Sequence, residues 1–190
     1  MKGANMLRFP VLLCKGLQIL IAAAAISVTA IFIHLQIDPQ YYGRWDARLL
    51  SSHGMLTRSI FESWNTGNSN DATLLSFDKI KTLSLYCNYL QIIAILFLIF
   101  ITVQELLNII RSVIQTETFR QRNILSFQRM HKYLFIIFIL SSVTNIDAQQ
   151  ASFHSYSLQL TPLILAMAAL IMAEIFKQGN QLLEENQLTI

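Results

Sequence analysis

The stretch YLFIIFILSSVTNI, residues 133–146, decides how often this chain crosses a membrane. It is uncharged and mostly apolar, with Lys132 before it and Asp147 after it. As a helix rising ~1.5 Å per residue, its roughly 14 residues reach only about 21 Å. That is short of a hydrocarbon core about 30 Å thick, so alone it reads as a buried or re-entrant helix. Flanks can lend the missing length: Lys132 can snorkel to the interface, and the helix can continue past Asp147. With that length the chain has four spans, and without it three.

Composition already places the chain in lipid. Of 190 residues, 54% are hydrophobic and 13% charged, with a mean hydropathy of +0.47. Soluble domains carry about 25% charged residues, so half that value points to a membrane class. The net charge of +3 is too small to require nucleic acid, and no nucleic-acid recognition domain is present, so direct nucleic-acid binding is not expected.

Three further runs are long enough to span: residues 16–35, 83–103 and 158–176. With the disputed run, taken as 133–148, they predict an all-α polytopic membrane protein. It is a four-transmembrane-helix bundle with amphipathic cytoplasmic segments, in one membrane domain covering residues 1–190. The outer loop is then 36–82, the inner loop 104–132 and the tail 177–190. Lys and Arg set the orientation. Nine fall on the side holding both termini, against five on the other, namely Arg44, Arg48, Arg58, Lys79 and Lys81. The positive-inside rule therefore puts both termini in the cytoplasm. Tyr41, Tyr42, Trp45, Tyr86, Tyr89 and Tyr156 would line the outer headgroups and Tyr133 the inner ones. The first run exceeds the ~7–15 residues of a secretory signal core, so it reads as a retained anchor. Cys14 and Cys87 would lie on opposite faces as unpaired thiols.

Helices in lipid associate through small residues and polar contacts. Ala23, Ser27 and Ala30 share a face of the first span, Ala169 and Ala173 a face of the last, and Ser141, Thr144, Asn145 and Ala148 a face of the third. Asn88 and Gln91 sit near the outer end of the second. These read as helix-packing seams, with a polar conduit for a small solute as the alternative. No ionisable residue lies mid-span, although transport paths usually need one. Glu174 pairs most simply with Lys177 on its own helix. Pro162 falls in the first turn of the last span, where proline is tolerated.

In the outer loop, Leu49, Leu56, Ile60 and Trp64 recur at roughly helical spacing, and NTGNSND (65–71) reads as a break. The loop is too short to build a sizeable core alone. His34, His53 and His154 lack the pairing or cysteine neighbours of a metal site. No nucleophile elbow, phosphate-binding glycine loop or carboxylate pair appears, so neither enzyme activity nor a cofactor or metal is expected.

On the inner side, Ile109, Val113 and Ile114 continue the second helix, and Thr116 or Thr118 can cap a new one. From Phe119 the chain reads as an amphipathic helix feeding the third span, with Phe119, Phe127 and Met130 apolar and Arg120, Arg122, Arg129 and Lys132 basic. Anchoring to anionic lipid is the plainest reading of that charge. The tail EIFKQGNQLLEENQLTI (174–190) carries an apolar edge with Ile175, Leu182 and Leu188, and Glu184 and Glu185 oppose the basic loop in sign. Gly179 would permit a bend. The tail either folds against the loop or offers itself to a soluble partner.

These two segments resemble a bacterial family of four-span membrane proteins catalogued as domain of unknown function twenty-nine seventy-five. LLNIIRSVIQTETFRQRNILSFQRM (106–130) is similar to its inner loop, with an Arg122–Asn123 helix start. Here Thr118-Phe119-Arg120 stands where the family often has a proline. The closing pattern IFxxGxxLxxENxLTI is matched by Ile175, Phe176, Gly179, Leu182, Glu185, Asn186, Leu188, Thr189 and Ile190. Family members are frequently encoded beside a small helix-turn-helix regulator, and the resemblance implies membrane-linked control of transcription. The leading expectation is thus a non-catalytic multi-pass protein, which the resemblance places in a bacterial inner membrane. Phe119, Arg120, Arg122, Asn123, Arg129, Phe176, Gly179, Leu182, Glu185, Asn186 and Leu188 would dock a cytoplasmic partner such as that regulator. The lipid bilayer is its other partner, and a homo-oligomer is left open. A small transporter or an immunity-type membrane protein is the alternative.

Overall fold

A computed structural model describes residues 8–44, 46–48, 57–66, 74–76, 80–115, 119–147 and 151–187. In chain order these form helix α1 (Arg8–Ile37), a 3-10 turn (Pro39–Arg44), strands β1 (Asp46–Arg48), β2 (Thr57–Thr66) and β3 (Leu74–Ser76), and helices α2 (Thr82–Ile114) and α3 (Gln121–Ser141). Strands β4 (Val143–Asp147) and β5 (Ala151–Gln159) and helix α4 (Leu160–Gln187) complete the order.

All four helices are long and apolar enough to cross a membrane. The chain is a multi-pass membrane protein. Leu12, Ile19, Leu20 and Ile26 on α1, Leu90 and Phe97 on α2, and Ile164 and Met167 on α4 are exposed. So much large apolar surface is compatible with lipid and unfavourable in water. Helix α1 stops where Pro39 disfavours helical backbone at Asp38. The Asp38 amide still donates to His34 O at 2.9 Å, and the Asp38 carboxylate accepts the Tyr41 amide at 3.3 Å. Pro162 sits in the first turn of α4, as expected, and α2 runs through Ile109 and Val113 to Ile114.

The third helix reaches spanning length, but from the other direction. Its 21 residues begin at Gln121, upstream of Lys132, and end at Ser141. The run 142–147 does not continue it. Ser141 and Ser142 donate back to Phe138 O at 3.2 and 2.6 Å, and the β-branched Val143, Thr144 and Ile146 lie in β4. Hydroxyls that bond back to the last turn help to end a helix, and β-branched side chains fit a strand. Thr144 and Asn145 therefore belong to a strand, not to the third helix face on which they were expected.

By contact the chain divides into two compact units: Met1–Ala22, Phe97–Ile137 and Pro162–Ile190 in one, Ala23–Leu96 and Phe138–Thr161 in the other. In the first, Ile109, Ile124, Phe127, Met130, Ala169, Ala173 and Phe176 form a buried core, flanked by Val113 and Leu134. The expected small residues Ala169 and Ala173 lie in that core, and Ala166 on the same helix is fully buried, the kind of side chain that permits close helix approach. Helix α1 joins through buried Cys14 and Ile21 and a 2.7 Å bond from Gln18 to Gln104.

The second unit holds a feature the sequence reading did not contain, an antiparallel sheet in the order β2-β5-β4 beside a small β1–β3 pair. Register runs from Thr57 opposite Gln159 to Thr66 opposite Ala151, with an irregularity between Ser59 and Phe61. Across β5, Val143 faces Tyr156 and Asp147 faces Ser152. Ile60 and Trp64, read as helical, lie in β2. Leu49, Leu56, His53, Trp45, Ala148, Thr116, Thr118 and Leu188–Ile190 are outside the described residues. Ala23, Ser27 and Ala30 are exposed on α1, where Ser27 Oγ donates to Ala23 O at 2.9 Å. In this unit α1 instead engages α2 through Thr29 with Tyr89 at 3.2 Å and through Phe32 stacked on Tyr89 at 4.0 Å.

Candidate functional site

The loop between α2 and α3 and the last turns of α4 meet within the first unit. Phe176 is buried, with the ring of Phe127 at 5.0 Å and that of Phe119 at 5.5 Å. Such separations suit tilted aromatic pairs, each worth about 0.5–1.5 kcal/mol beyond area burial. Gly179 follows Phe176 by three residues and so lies on the same face of α4. A Cβ built there would stand 2.5 Å from two carbons of the Phe119 ring. Helix α4 passes through Gly179 to Gln187 without a break, so the expected bend is absent. The glycine admits the Phe119 ring against α4.

The residues singled out in the sequence separate by exposure. Phe119, Arg120, Arg122, Arg129, Leu182 and Glu185 are exposed, and Gly179 is half-buried. Phe176 is inside, and so is Asn123, at 1% exposure, too deep for a partner to touch. Asn123 Nδ2 donates to Ser112 Oγ at 2.9 Å, and its amide donates to Arg120 O at 2.9 Å. Asn123 thereby bolts the start of α3 to the end of α2. Asn186 lies in the last turn of α4. Lys177 and Glu174 pair locally at 3.5 Å, as their spacing suggests.

One polar residue escaped the sequence reading. Glu105 is buried and accepts Ser126 Oγ at 2.8 Å and an Arg129 guanidinium nitrogen at 3.2 Å. Its side chain is 11% exposed against 58% for Arg129. Beside it, Gln104 donates to Asn108 at 3.3 Å. A signal was present: Gln104, Asn108 and Ser112 recur every fourth residue, which puts a polar stripe along the last turns of α2 with Glu105 adjoining it.

In the second unit, Asn88 and Gln91 bind backbone. Asn88 Nδ2 donates to Asn145 O and Ser84 O, each at 2.8 Å, and Ser84 Oγ accepts the Asp147 amide at 3.0 Å. Gln91 Nε2 donates to Leu140 O at 2.6 Å and Val143 O at 2.7 Å. Gln91 thereby satisfies the Leu140 carbonyl, one of those a helix terminus leaves open, and both amides tie β4 to α2. Asn145 Oδ1 and His154 Nδ1 lie 3.1 Å apart. Among the described residues, no three His, Cys, Asp or Glu side chains converge as a metal site would require.

A family model described as Protein of unknown function (DUF2975) matches residues 66–190, well over half of the chain. No curated protein and no solved structure matches the chain significantly.

Proposed function

The chain belongs to that family, and we propose that it is a non-catalytic inner-membrane protein that docks a cytoplasmic regulator on its α2–α3 loop and tail. The observation that carries this reading is the packing of Phe119 against Phe176 and Gly179. It fuses two separate chain segments into one surface, edged by exposed Arg122, Leu182 and Glu185. A preordered surface loses less entropy on binding than two loose segments would. The excess of Lys and Arg on the side of both termini supports a cytoplasmic placement.

The partner that fits the resemblance is a helix-turn-helix regulator, whose affinity would depend on how tail and loop pack. The test uses the full chain in lipid nanodiscs and a helix-turn-helix protein of the kind that the resemblance places beside family members. Leu182→Asp and Glu185→Lys are each expected to weaken binding about ten-fold, the effect of ~1.4 kcal/mol. Binding of the same strength in both variants removes this surface from the mechanism. A reporter fused after Ile190 that is active only in the periplasm removes the shared compartment as well.

A further inference from the structure

Within the second unit, α1, α2 and β4 enclose a slot of about 290 Å³. Helix α1 contributes Val28, Ile31, Phe32 and Leu35. Helix α2 contributes Leu85, Asn88, Tyr89 and Ile92. Both sets follow the same i, i+3, i+4, i+7 spacing, so each helix turns one continuous face to the slot over about 10 Å of its length. Ile80, just before α2, and Ile146 of β4 complete the lining at the end nearest the sheet. The Phe32 ring, stacked on Tyr89 at 4.0 Å, supplies a flat wall. Ile31 and Ile92 are 54% and 45% exposed, so the slot opens onto the apolar surface of the spanning helices.

Water does not suit this lining. A buried water needs about 2–4 polar partners, and the donors here are already used. Asn88 Nδ2 donates to Ser84 O and Asn145 O, each at 2.8 Å. Thr29 Oγ1 gives its proton to Ala25 O at 2.8 Å, so Tyr89 donates its own to Thr29 Oγ1 at 3.2 Å. The rest of the wall is hydrocarbon, on two helices long and apolar enough to cross a membrane. Left empty, the slot would forfeit dispersion contacts along its length. A methylene is close in size to a water molecule, ~30 Å³, so the volume holds about ten carbons of one chain. At the sheet end stand Lys81, Gln36 and Tyr86, all exposed, with Tyr86 donating to Gln36 at 3.0 Å. Cationic and aromatic side chains of that kind suit the headgroup level.

We infer that this slot is a binding site for one acyl chain of a membrane phospholipid, held along α1 and α2 with its headgroup beside the sheet. Recognition lies in the chain, because the lining is apolar and its donors are spent within the protein. The inference does not rest on the docking reading, which concerns residues of the first unit.

The full chain is purified in a steroid-based detergent, which brings no alkyl chain to compete. Native mass spectrometry then counts the phospholipids retained from mixed micelles of phosphatidylcholine, phosphatidylethanolamine and phosphatidylglycerol. One lipid per chain is expected, without preference among the three headgroups. Val28→Phe combined with Leu85→Phe fills the slot and is expected to lower retention about ten-fold or more, since each buried methylene lost weakens binding several-fold. Ile19→Phe, on an exposed part of α1 outside the slot, is expected to change it less than about two-fold. A second arm needs no substitution and decides alone if the filled variant does not fold. Thermal unfolding of the unaltered protein is followed with lysophosphatidylcholines of increasing chain length. The midpoint should rise with each carbon and level off near about ten, when the slot is full. A midpoint that does not rise, or that climbs without levelling as partition into a micelle would give, overturns the inference. So does retention that depends on one headgroup and ignores the filling substitutions. A dimer mass that those substitutions abolish assigns the slot to a second copy and overturns it as well.

Discussion

The Phe119 ring occupies the space that a side chain at Gly179 would need, with two ring carbons 2.5 Å from the position of a Cβ. Alanine in a helix interior is about 1 kcal/mol better than glycine, so Gly179→Ala alone should stabilise α4. Here it must first push the ring away from Phe176 and forfeit an aromatic contact of about 0.5–1.5 kcal/mol. We predict that Gly179→Ala is neutral or mildly destabilising in the native background. In a Phe119→Ala background it becomes stabilising by about 0.5–1 kcal/mol. A double-mutant cycle on thermal unfolding in detergent reads the coupling directly. Equal effects in both backgrounds would show that ring and glycine do not interact.

Glu105 should matter more than its partner Arg129. The carboxylate is enclosed and accepts both Ser126 Oγ and the guanidinium, whereas Arg129 is mostly exposed. Removing a buried acceptor strands its donor at a cost of about 1–3 kcal/mol, and Glu105→Ala is placed in that range. Glu105→Gln keeps an oxygen for Ser126 and should lose less. Arg129→Gln removes the exposed partner and leaves Ser126 Oγ on the carboxylate, a loss of about 0–1 kcal/mol. The unfolding midpoints are expected in the order Arg129→Gln, Glu105→Gln, Glu105→Ala, from highest to lowest. An Arg129 variant as unstable as Glu105→Ala contradicts the assignment.

How far the sequence could be read depended on which physical signal dominated locally. Hydropathy over 83–103 sits inside α2, because a long apolar run has one satisfactory conformation in lipid. Ala169 and Ala173 were legible as packing residues because small side chains at helical spacing permit close approach. The run 133–146 was misread at its far end, where apolar content persists while the period changes. Val143, Thr144 and Ile146 are β-branched, and Tyr156 and Leu158 alternate with polar neighbours in the paired strand. Ile60 and Trp64 failed for a related reason, since a spacing of four satisfies a helix and a strand alike. Gly179 was attributed to bending because only a tertiary contact, Phe119, reveals its use. Asn123 looked like a surface polar residue, and nothing local announces that it is buried.

Gln91 should hold the junction where α3 becomes β4. Its amide donates to Leu140 O and Val143 O, one carbonyl in the last turn of α3 and one at the start of the strand. Gln91→Leu keeps the volume and removes both bonds, at about 1–3 kcal/mol if the carbonyls stay dry. The loss is local, so hydrogen exchange is the better measurement. Amides of Val143–Asp147 and the end of α3 should exchange faster, while those of the core around Ile109 and Phe127 are unchanged. Gln91→Glu should not rescue, since a carboxylate has no donor for a carbonyl. Protection in β4 equal to that of the native protein would show that the ladder with β5 suffices alone.

Asn123 and Leu182 were grouped in the sequence as docking residues, and the structure places one inside and the other outside. Asn123 is 1% exposed and joins Ser112 Oγ at 2.9 Å, whereas Leu182 is 60% exposed. Asn123→Leu leaves Ser112 without this donor and places a branched side chain in a closely packed site. The expected cost is about 1–3 kcal/mol in unfolding free energy, with release of the α2–α3 junction as its local sign. Leu182→Asp should leave the unfolding midpoint nearly unchanged, as exposed substitutions usually stay within about 0.5 kcal/mol. The pair thus separates the buried α2–α3 junction from the outer surface. If Leu182→Asp lowers the midpoint as much as Asn123→Leu, the tail is packed more tightly than its exposure states, and the surface assigned to a partner is already in use within the fold.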